Sequence, residues 1–522
     1  MFKLLNESFK KELVKFPYLV IFFLVLLSCN STSVQEDQRP NVVIILADDQ
    51  GWGDLSVNGN SNSHTPNIDE LAEQGASFTN FYVSPVCSPT RAELLTGRYN
   101  HRGGVYSTSA GGERLDLDET TIADVFKKEN YKTAAYGKWH NGMQYPYHPN
   151  GRGFEDFYGF CSGHWGNYFS PMLEHNGKIV KGNGFVTDDF TEHGLEFIEK
   201  NKDSSFFLYL PFNTPHSPMQ APERFWNKQK DKELEMFASE GKENVQHTKA
   251  ALAMCENIDW NVGRIVDKIE DLGLTENTII LYFSDNGPNG WRWNGGKKGR
   301  KGSTDEGGVR SPLFVKWPEK ISAGLKIDRI ASAVDLLPTL TALCGITYNS
   351  DKPLDGLSLK DLLFDKKQGP WKDRYILNQF RGKMSIRNQQ YRLSNEGGLF
   401  DMERDPGQKR DLSDQLPKIK TEMTQVADDF KTQITTELPK IDNRPYYIGH
   451  PDTRYTQIPA RDGTAHGGIK RSNRFPNCSF YTNWKELEDK ITWSVDVPEK
   501  GRFKVLLYYT CAKENIGSSI EL

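Results

Sequence analysis

The sequence predicts an α/β fold. A large, mostly parallel sheet sandwiched by helices is expected over residues 40–350, and a smaller C-terminal α+β subdomain with an antiparallel sheet over 351–440. A linker at 441–470 then leads to a partial β-sandwich-like module at 471–522. Three observations carry this reading. Short runs that are apolar throughout, without alternation, mark strands buried on both faces. Stretches of helical period separate those runs, as crossovers between parallel strands require. Beyond residue 350 the runs become short and closely spaced, as in a small antiparallel sheet.

Asn41 to Ala47 (NVVIILA) is the first buried strand, and Lys132 to Tyr136, Phe206 to Phe212 and Thr278 to Phe283 are similar. Between the last two, Leu252, Cys255, Ile258, Val262, Ile265 and Ile269 recur at three- and four-residue spacing up to Gly273, which predicts one long amphipathic helix. A further helix is expected at Asp335 to Leu343. Residues 371–402 read as four short strands, and 414–436 as a polar helix. Residues 440–470 are rich in Pro, Gly, Asp, Arg and His with little periodicity, which reads as a linker or an extended surface segment. The run 491–510 alternates about Glu499-Lys500-Gly501 and predicts a hairpin. A β-sandwich needs about 100 residues, so this last module is expected either to dock as a partial sheet on the catalytic body or to belong to a fragment.

The chain has 522 residues with 65 Lys plus Arg against 69 Asp plus Glu. That balance excludes a protein whose affinity rests on a strongly basic nucleic-acid-binding face. The composition is that of a soluble globular protein, and the length implies about two to four domains. Lys3, Lys10, Lys11 and Lys15 precede the apolar run Tyr18 to Leu27, too short to span a bilayer that needs about 20 residues. Residues 1–28 therefore read as a signal peptide. Ser28 before Cys29 resembles a lipoprotein box, with Cys29 lipidated and 29–39 as a tether; a plain secretory signal or an uncleaved anchor are the alternatives. The expected location is exported, lipid-anchored in a bacterial outer membrane or periplasm, with contact to the membrane only through that lipid.

In open α/β sheets, ligands bind beyond the carboxyl ends of the strands. Four such ends carry chemistry here: Asp48-Asp49, then Lys138 and His140, then His216, then Asp285-Asn286. Three carboxylates and an amide form an oxygen-only set suited to Ca²⁺ or Mg²⁺, and converging without a cation they would repel one another. Lys138, His140, His216 and the lysines near residue 300 face the same edge. Together these groups suit chemistry on an anionic sulfuryl or phosphoryl group.

The twelve residues Cys87-Ser88-Pro89-Thr90-Arg91-Ala92-Glu93-Leu94-Leu95-Thr96-Gly97-Arg98 contain CxPxR followed by LTG. With this motif the chain resembles the formylglycine-dependent (type I) sulfatases of the alkaline phosphatase superfamily. The resemblance spans about residues 40–440, through NVVIILADDQGWGD, YGKWH, TPH at 214–216, SDNG at 284–287 and KGSTDEGGVRSP from Lys301. It implies an alkaline phosphatase-like fold and hydrolysis of sulfate esters. It also implies oxidation of Cys87 by a sulfatase-maturing enzyme to formylglycine (3-oxoalanine), whose hydrate attacks sulfur to give a sulfo-enzyme. Asp48, Asp49, Asp285 and Asn286 resemble the metal ligands, completed by modified Cys87. Arg91 would hold the nucleophile, and Lys138 and His140, two apart in an extended segment, the sulfate. His216 and Lys301 would bind the ester, with His216 as general acid; among Lys297, Lys298 and Lys301, only Lys301 has the KGxxxEGG spacing.

Trp165, Asn167 and Tyr168 follow one loop, and Trp291, Arg292 and Trp293 follow SDNG. Aromatic faces and an arginine at the pocket mouth suit a sulfated glycan; simple loop packing is the alternative. Two other functions remain open: a phosphonate monoester or phosphodiester hydrolase of the same superfamily, and a non-catalytic glycan-binding lipoprotein. Of seven cysteines, lipidation of Cys29 and oxidation of Cys87 leave 161, 255, 344, 478 and 511. Cys478 with Cys511 is the nearest pair for a disulfide, and Cys255 and Cys344 are expected as buried thiols.

Overall fold

The computed structural model describes residues 39–364, 373–438, 441–473 and 478–522; the expected signal peptide, Cys29 and all of the tether except Arg39 lie outside them. Asn41–Ala47 lies near the middle of a ten-stranded sheet. Its order is Leu325–Ile327, Ala76–Phe78, Leu313–Lys316, Thr278–Ser284, Asn41–Ala47, Phe206–Pro211, Lys132–Lys138, Asp156–Phe160, Met172–His175, Lys178–Lys181. The five strands from Thr278–Ser284 to Asp156–Phe160 are parallel to one another. Antiparallel pairs flank them on both sides, so the sheet is mixed at its margins.

The apolar runs are buried on both faces for a visible reason. Val42, Ile44 and Leu46 point into one core, with the helices Cys87–Thr96, Ile122–Lys128 and Leu336–Leu343. Val43, Ile45 and Ala47 point into the other, against Pro66–Glu73, Val186–Lys200 and the 27-residue helix Val245–Asp271. Successive side chains of a strand alternate between faces, so a strand between two helical layers must be apolar at every position.

Helix Cys87–Thr96 is buried along its whole length and ends at Gly97, whose φ of 68° a residue without Cβ adopts freely. Within it, burial pushes the carboxyl of Glu93 up to about 8, opposed by the Ser84 hydroxyl 3.0 Å from its Oε1. The unfolded chain ionises this group near pH 4.3, so between there and pH 8 the folded state holds the extra proton and stability falls as pH rises, by about 1.4 kcal/mol per unit. Glu93→Gln is therefore expected to raise the unfolding temperature at neutral pH, with the gain gone near pH 4; calorimetry showing the same shift at both pH values would contradict this.

After residue 373, strands Ile376–Phe380, Lys383–Arg387, Tyr391–Leu393 and Leu399–Asp401 form an antiparallel sheet. Met423, Phe430 and Ile434 of helix Pro417–Glu437 cover it. Residues 441–470 run against the catalytic body: Arg444 donates to the carbonyls of Arg114 and Gly104, Gln457 to Glu174, and Arg461 to Ser162. One expectation for the tail is corrected: the hairpin about Lys500 does not form. Lys490–Thr492 pairs with Thr464–His466 and Val495–Asp496 with Tyr446–Tyr447, so the first arm already has other partners, and 501–512 is irregular with Val505, Leu506, Tyr508 and Tyr509 exposed. Cys478 and Cys511 are unbonded thiols; Cys478 instead donates to the carbonyl of His164. Cys255 and Cys344 are buried thiols.

Candidate active site

Because Asn41–Ala47 and Thr278–Ser284 run parallel in register, with Ala47 opposite Ser284, their ends bring Asp48-Asp49 beside Asp285-Asn286. The chain turns sharply at Asp49, φ 66°, and its N–H donates to Asp285 Oδ1 at 3.2 Å. Arg292 holds the turn from behind: its Nη2 donates to the Asp49 carbonyl at 3.0 Å, while Nε and Nη2 grip Asp54 at 2.7 and 2.6 Å.

Cations ring these carboxylates. Lys138 Nζ lies 2.6 Å from Asp48 Oδ2, Lys301 Nζ bonds Asp49 Oδ1, and His216 Nε2 is 3.5 Å from Asp49 Oδ2. Arg91, one turn into helix Cys87–Thr96, donates from Nε and Nη2 to Asp285 Oδ2 at 3.1 and 2.8 Å and from Nη1 to the Lys138 carbonyl at 2.6 Å. Cys87 opens that helix; its Sγ lies within 4.8 Å of carboxylate oxygens of Asp48 and Asp285. Lys138 is the last residue of its strand, and the chain does not continue extended: His140 has φ 68°. His140 nevertheless stays in the field of Lys138, Arg91 and Asp48; its Nε2 donates to the Thr108 carbonyl at 2.8 Å, and its Nδ1 is buried with no hydrogen-bond partner among the described residues.

Three buried oxygens here, Asp48 Oδ1, Asp49 Oδ2 and Asn286 Oδ1, accept no hydrogen bond among the described residues. Burial opposes ionisation of Asp48 and Asp49, yet the cations, led by Lys138 at Asp48 and His216 at Asp49, hold both carboxyls below the usual range. Asp285 is instead pushed up to about 7 by burial and by the charge of Asp48, despite Arg91. Asp48, Asp49 and Asp285 are matched in charge by Lys138, Lys301 and Arg91, yet the atoms left free on this set are all oxygens. It fits a hard divalent cation. Burial, aided by Asp48 and Asp285 against Lys138 and Lys301, pushes the Cys87 thiol up, so an unmodified thiolate is disfavoured.

A family model described as Sulfatase matches residues 40–346, and one described as N-sulphoglucosamine sulphohydrolase, C-terminal, matches 301–438. The chain belongs to the sulfatase family. It is 32% identical over 409 residues to N-acetylgalactosamine-6-sulfatase of Mus musculus, covering 71% of this chain and 74% of that one. Arylsulfatase G of Rattus norvegicus is 31% identical over 386 residues, covering 63% and 70%. Among solved structures, Ps i-CgsB in complex with k-i-k-neocarrahexaose superposes with a TM-score of 0.68 at 33% identity, over 75% of this chain and 93% of that one. This sulfatase is accordingly a sulfuric ester hydrolase with an alkaline phosphatase-like fold.

The expected sugar-contacting residues divide. Arg292 and Tyr168 are buried and are not at the mouth: Arg292 supports Asp49, and the Tyr168 hydroxyl lies 3.0 Å from the carbonyls of both His216 and Ser217, fixing that loop. Trp165 stacks on Phe160 at 5.2 Å, and the Asn167 side chain donates to the Phe169 carbonyl. Trp293 packs against Gly53, and Arg300 lies over Trp291 at 5.2 Å. These four side chains, Trp165, Asn167, Trp291 and Trp293, are half-buried or exposed and also make these loop contacts. Of the other lysines, Lys297 covers Trp52 and Lys298 faces Asp305.

His164 was missed in the sequence. Its ring meets His216 edge-on at 4.8 Å, and burial followed by the charge of His216 pushes it down to about 3. It stands four residues past Phe160, the end of a fifth parallel strand, so reading that strand's end as well would have found it.

Proposed function

We propose that this sulfatase removes sulfate from a sulfated polysaccharide or oligosaccharide, with residue 87 carried as formylglycine and its hydrate as the nucleophile. The observation that carries the reading is Cys87 at the first turn of a buried helix, against Asp48 and Asp285 and within the field of Lys138 and Lys301. Asp48, Asp49, Asp285 and Asn286 would hold Ca²⁺ or Mg²⁺, which would supply Lewis acidity there. Lys138 and Lys301 bring positive charge to the sulfuryl oxygens, and Arg91 fixes both Asp285 and the Lys138 backbone.

His216 Nδ1 donates to the Ser217 carbonyl at 2.6 Å, so Nε2 is the atom that exchanges a proton with the leaving alcohol. Burial lowers its pKa, and an anionic ester in the site raises it again. His140 carries its proton on Nε2, which leaves a lone pair on Nδ1 to accept a proton from a hydroxyl at residue 87. The glycan reading is supported by the named relative acting on an N-acetylgalactosamine sulfate and the solved structure holding a neocarrahexaose. Export with a lipid on Cys29 belongs to the same proposal and rests on the lysines and short apolar run before Ser28-Cys29.

Sulfate release from N-acetylgalactosamine 6-sulfate, k-i-k-neocarrahexaose, glucosamine sulfates and 4-methylumbelliferyl sulfate, beside phosphonate and phosphodiester analogues, tests this. Release from at least one glycan, in preference to every phosphorus ester, is the expected result. Activity confined to aryl sulfate sinks the glycan reading, and preference for a phosphorus ester sinks the sulfate reading.

A further inference from the structure

We infer that the segment after residue 441 and the loop before Arg114 together form a subsite for an uncharged sugar unit of the glycan, next to the sulfate-ester site. This rests on the glycan reading above. A cleft of about 370 Å³ lies between them, bounded by Ala110 and Arg114 on one wall and by Arg444, Asp462, Thr464 and Trp493 on the other. That volume is in the range of small-molecule sites, about 300–1,000 Å³. The two family matches end at residues 346 and 438, so the second wall lies outside the segments they match.

Both walls run directly into the residues that enclose His140. Two positions before Ala110, the Thr108 carbonyl receives the His140 Nε2 proton. Next to Asp462, Arg461 Nη2 donates to Ser162 Oγ at 2.7 Å. Gly163 follows, so close on the imidazole that a Cβ there would stand 2.0 Å from His140 Nε2, and His164 then meets His216. A glycan unit in the cleft is therefore one loop away from the sulfate pocket.

The chemistry of the walls selects the occupant. Arg444 is held by Asp442 at 2.7 Å and Asp116 at 2.9 Å, and Arg114 donates to the Pro445 carbonyl at 2.9 Å and lies over Tyr446 at 4.8 Å. With Asp442 and Asp462 also in the lining, its two guanidiniums are matched by at least as many carboxylates. A sulfate or carboxylate would find no unmatched cation there. The hydroxyls of Thr464 and Thr492, the fixed ion pairs and the indole of Trp493 instead match the hydroxyls and flat apolar face of a neutral sugar.

The test compares wild-type enzyme with Trp493→Ala, which removes the indole, and Thr464→Trp, which fills the cleft. Substrates are the longest panel oligosaccharide that loses sulfate and 4-methylumbelliferyl sulfate. For each variant the ratio of kcat/KM for the oligosaccharide to that for the aryl ester is expected to fall about tenfold, mainly through KM, because uniform binding is lost and not transition-state stabilisation. Turnover of the oligosaccharide with an unchanged ratio in both variants overturns the subsite alone. If no panel glycan loses sulfate from the wild type, the glycan reading fails and the subsite with it.

Discussion

Cys87→Ala is expected to lower sulfate release by about four to six orders of magnitude while leaving the fold intact, because it removes the nucleophile and nothing else. The side chain is small, sits at the first turn of helix Cys87–Thr96, and accepts no structural hydrogen bond among the described contacts. A plain thiol would serve poorly: burial and the neighbouring Asp48 and Asp285 raise its pKa against the pull of Lys138 and Lys301. Two measurements check the prediction. Sulfate release should vanish in Cys87→Ala with an unchanged unfolding transition, and peptide mass spectrometry of active wild-type enzyme should find the thiol exchanged for an aldehyde or its hydrate. Active enzyme with an unmodified Cys87 would remove the proposed nucleophile altogether.

How much of this was legible in the sequence depends on whether a residue's role follows from its place along the chain or from its side-chain direction. The strand Asn41–Ala47 and its neighbours were readable because burial on both faces demands an unbroken apolar run, and the run's end locates Asp48 and Asp49. Helix Val245–Asp271 was readable from its period. What the chain order hides is where a polar side chain turns. Arg292, Tyr168 and Trp293 follow a site segment and have the composition of a sugar platform, yet each packs or supports a loop. The His140 ring meets Thr108 and Gly163, both distant in sequence. The hairpin failed likewise: alternation gives a strand its faces but not its partner, and the pairing of Lys490–Thr492 with Thr464–His466 is a tertiary outcome.

Glu306→Gln is expected to destabilise the protein by about 3–5 kcal/mol, the cost of breaking a buried ion cluster by removing one partner. Glu306 lies five residues after Lys301, and its carboxylate takes hydrogen bonds from Tyr82 at 2.8 Å, Arg310 at 2.8 Å and Arg392 at 3.1 Å, with Arg387 at 3.8 Å. Those partners come from three places: Tyr82 from a strand before helix Cys87–Thr96, Arg310 from the segment after Lys301, and Arg387 and Arg392 from the C-terminal sheet. Glutamine keeps the shape and some hydrogen bonds but leaves three guanidiniums without a counter-charge. Burial opposes ionisation of Glu306, and Arg392, Arg310 and Arg387 overcome it, holding the carboxyl far below its unfolded value near 4.3. Its contribution is therefore complete above that value and is lost as pH falls toward the depressed folded pKa, so the stability gap between wild type and Glu306→Gln should be full at pH 7 and shrink below pH 4. Urea unfolding at both pH values reads the gap directly. A gap under about 1 kcal/mol at pH 7 would mean that the cluster does not bind the C-terminal sheet to the catalytic body. A full gap with normal sulfate release at low temperature would mean that Lys301 keeps its place on Asp49 without it.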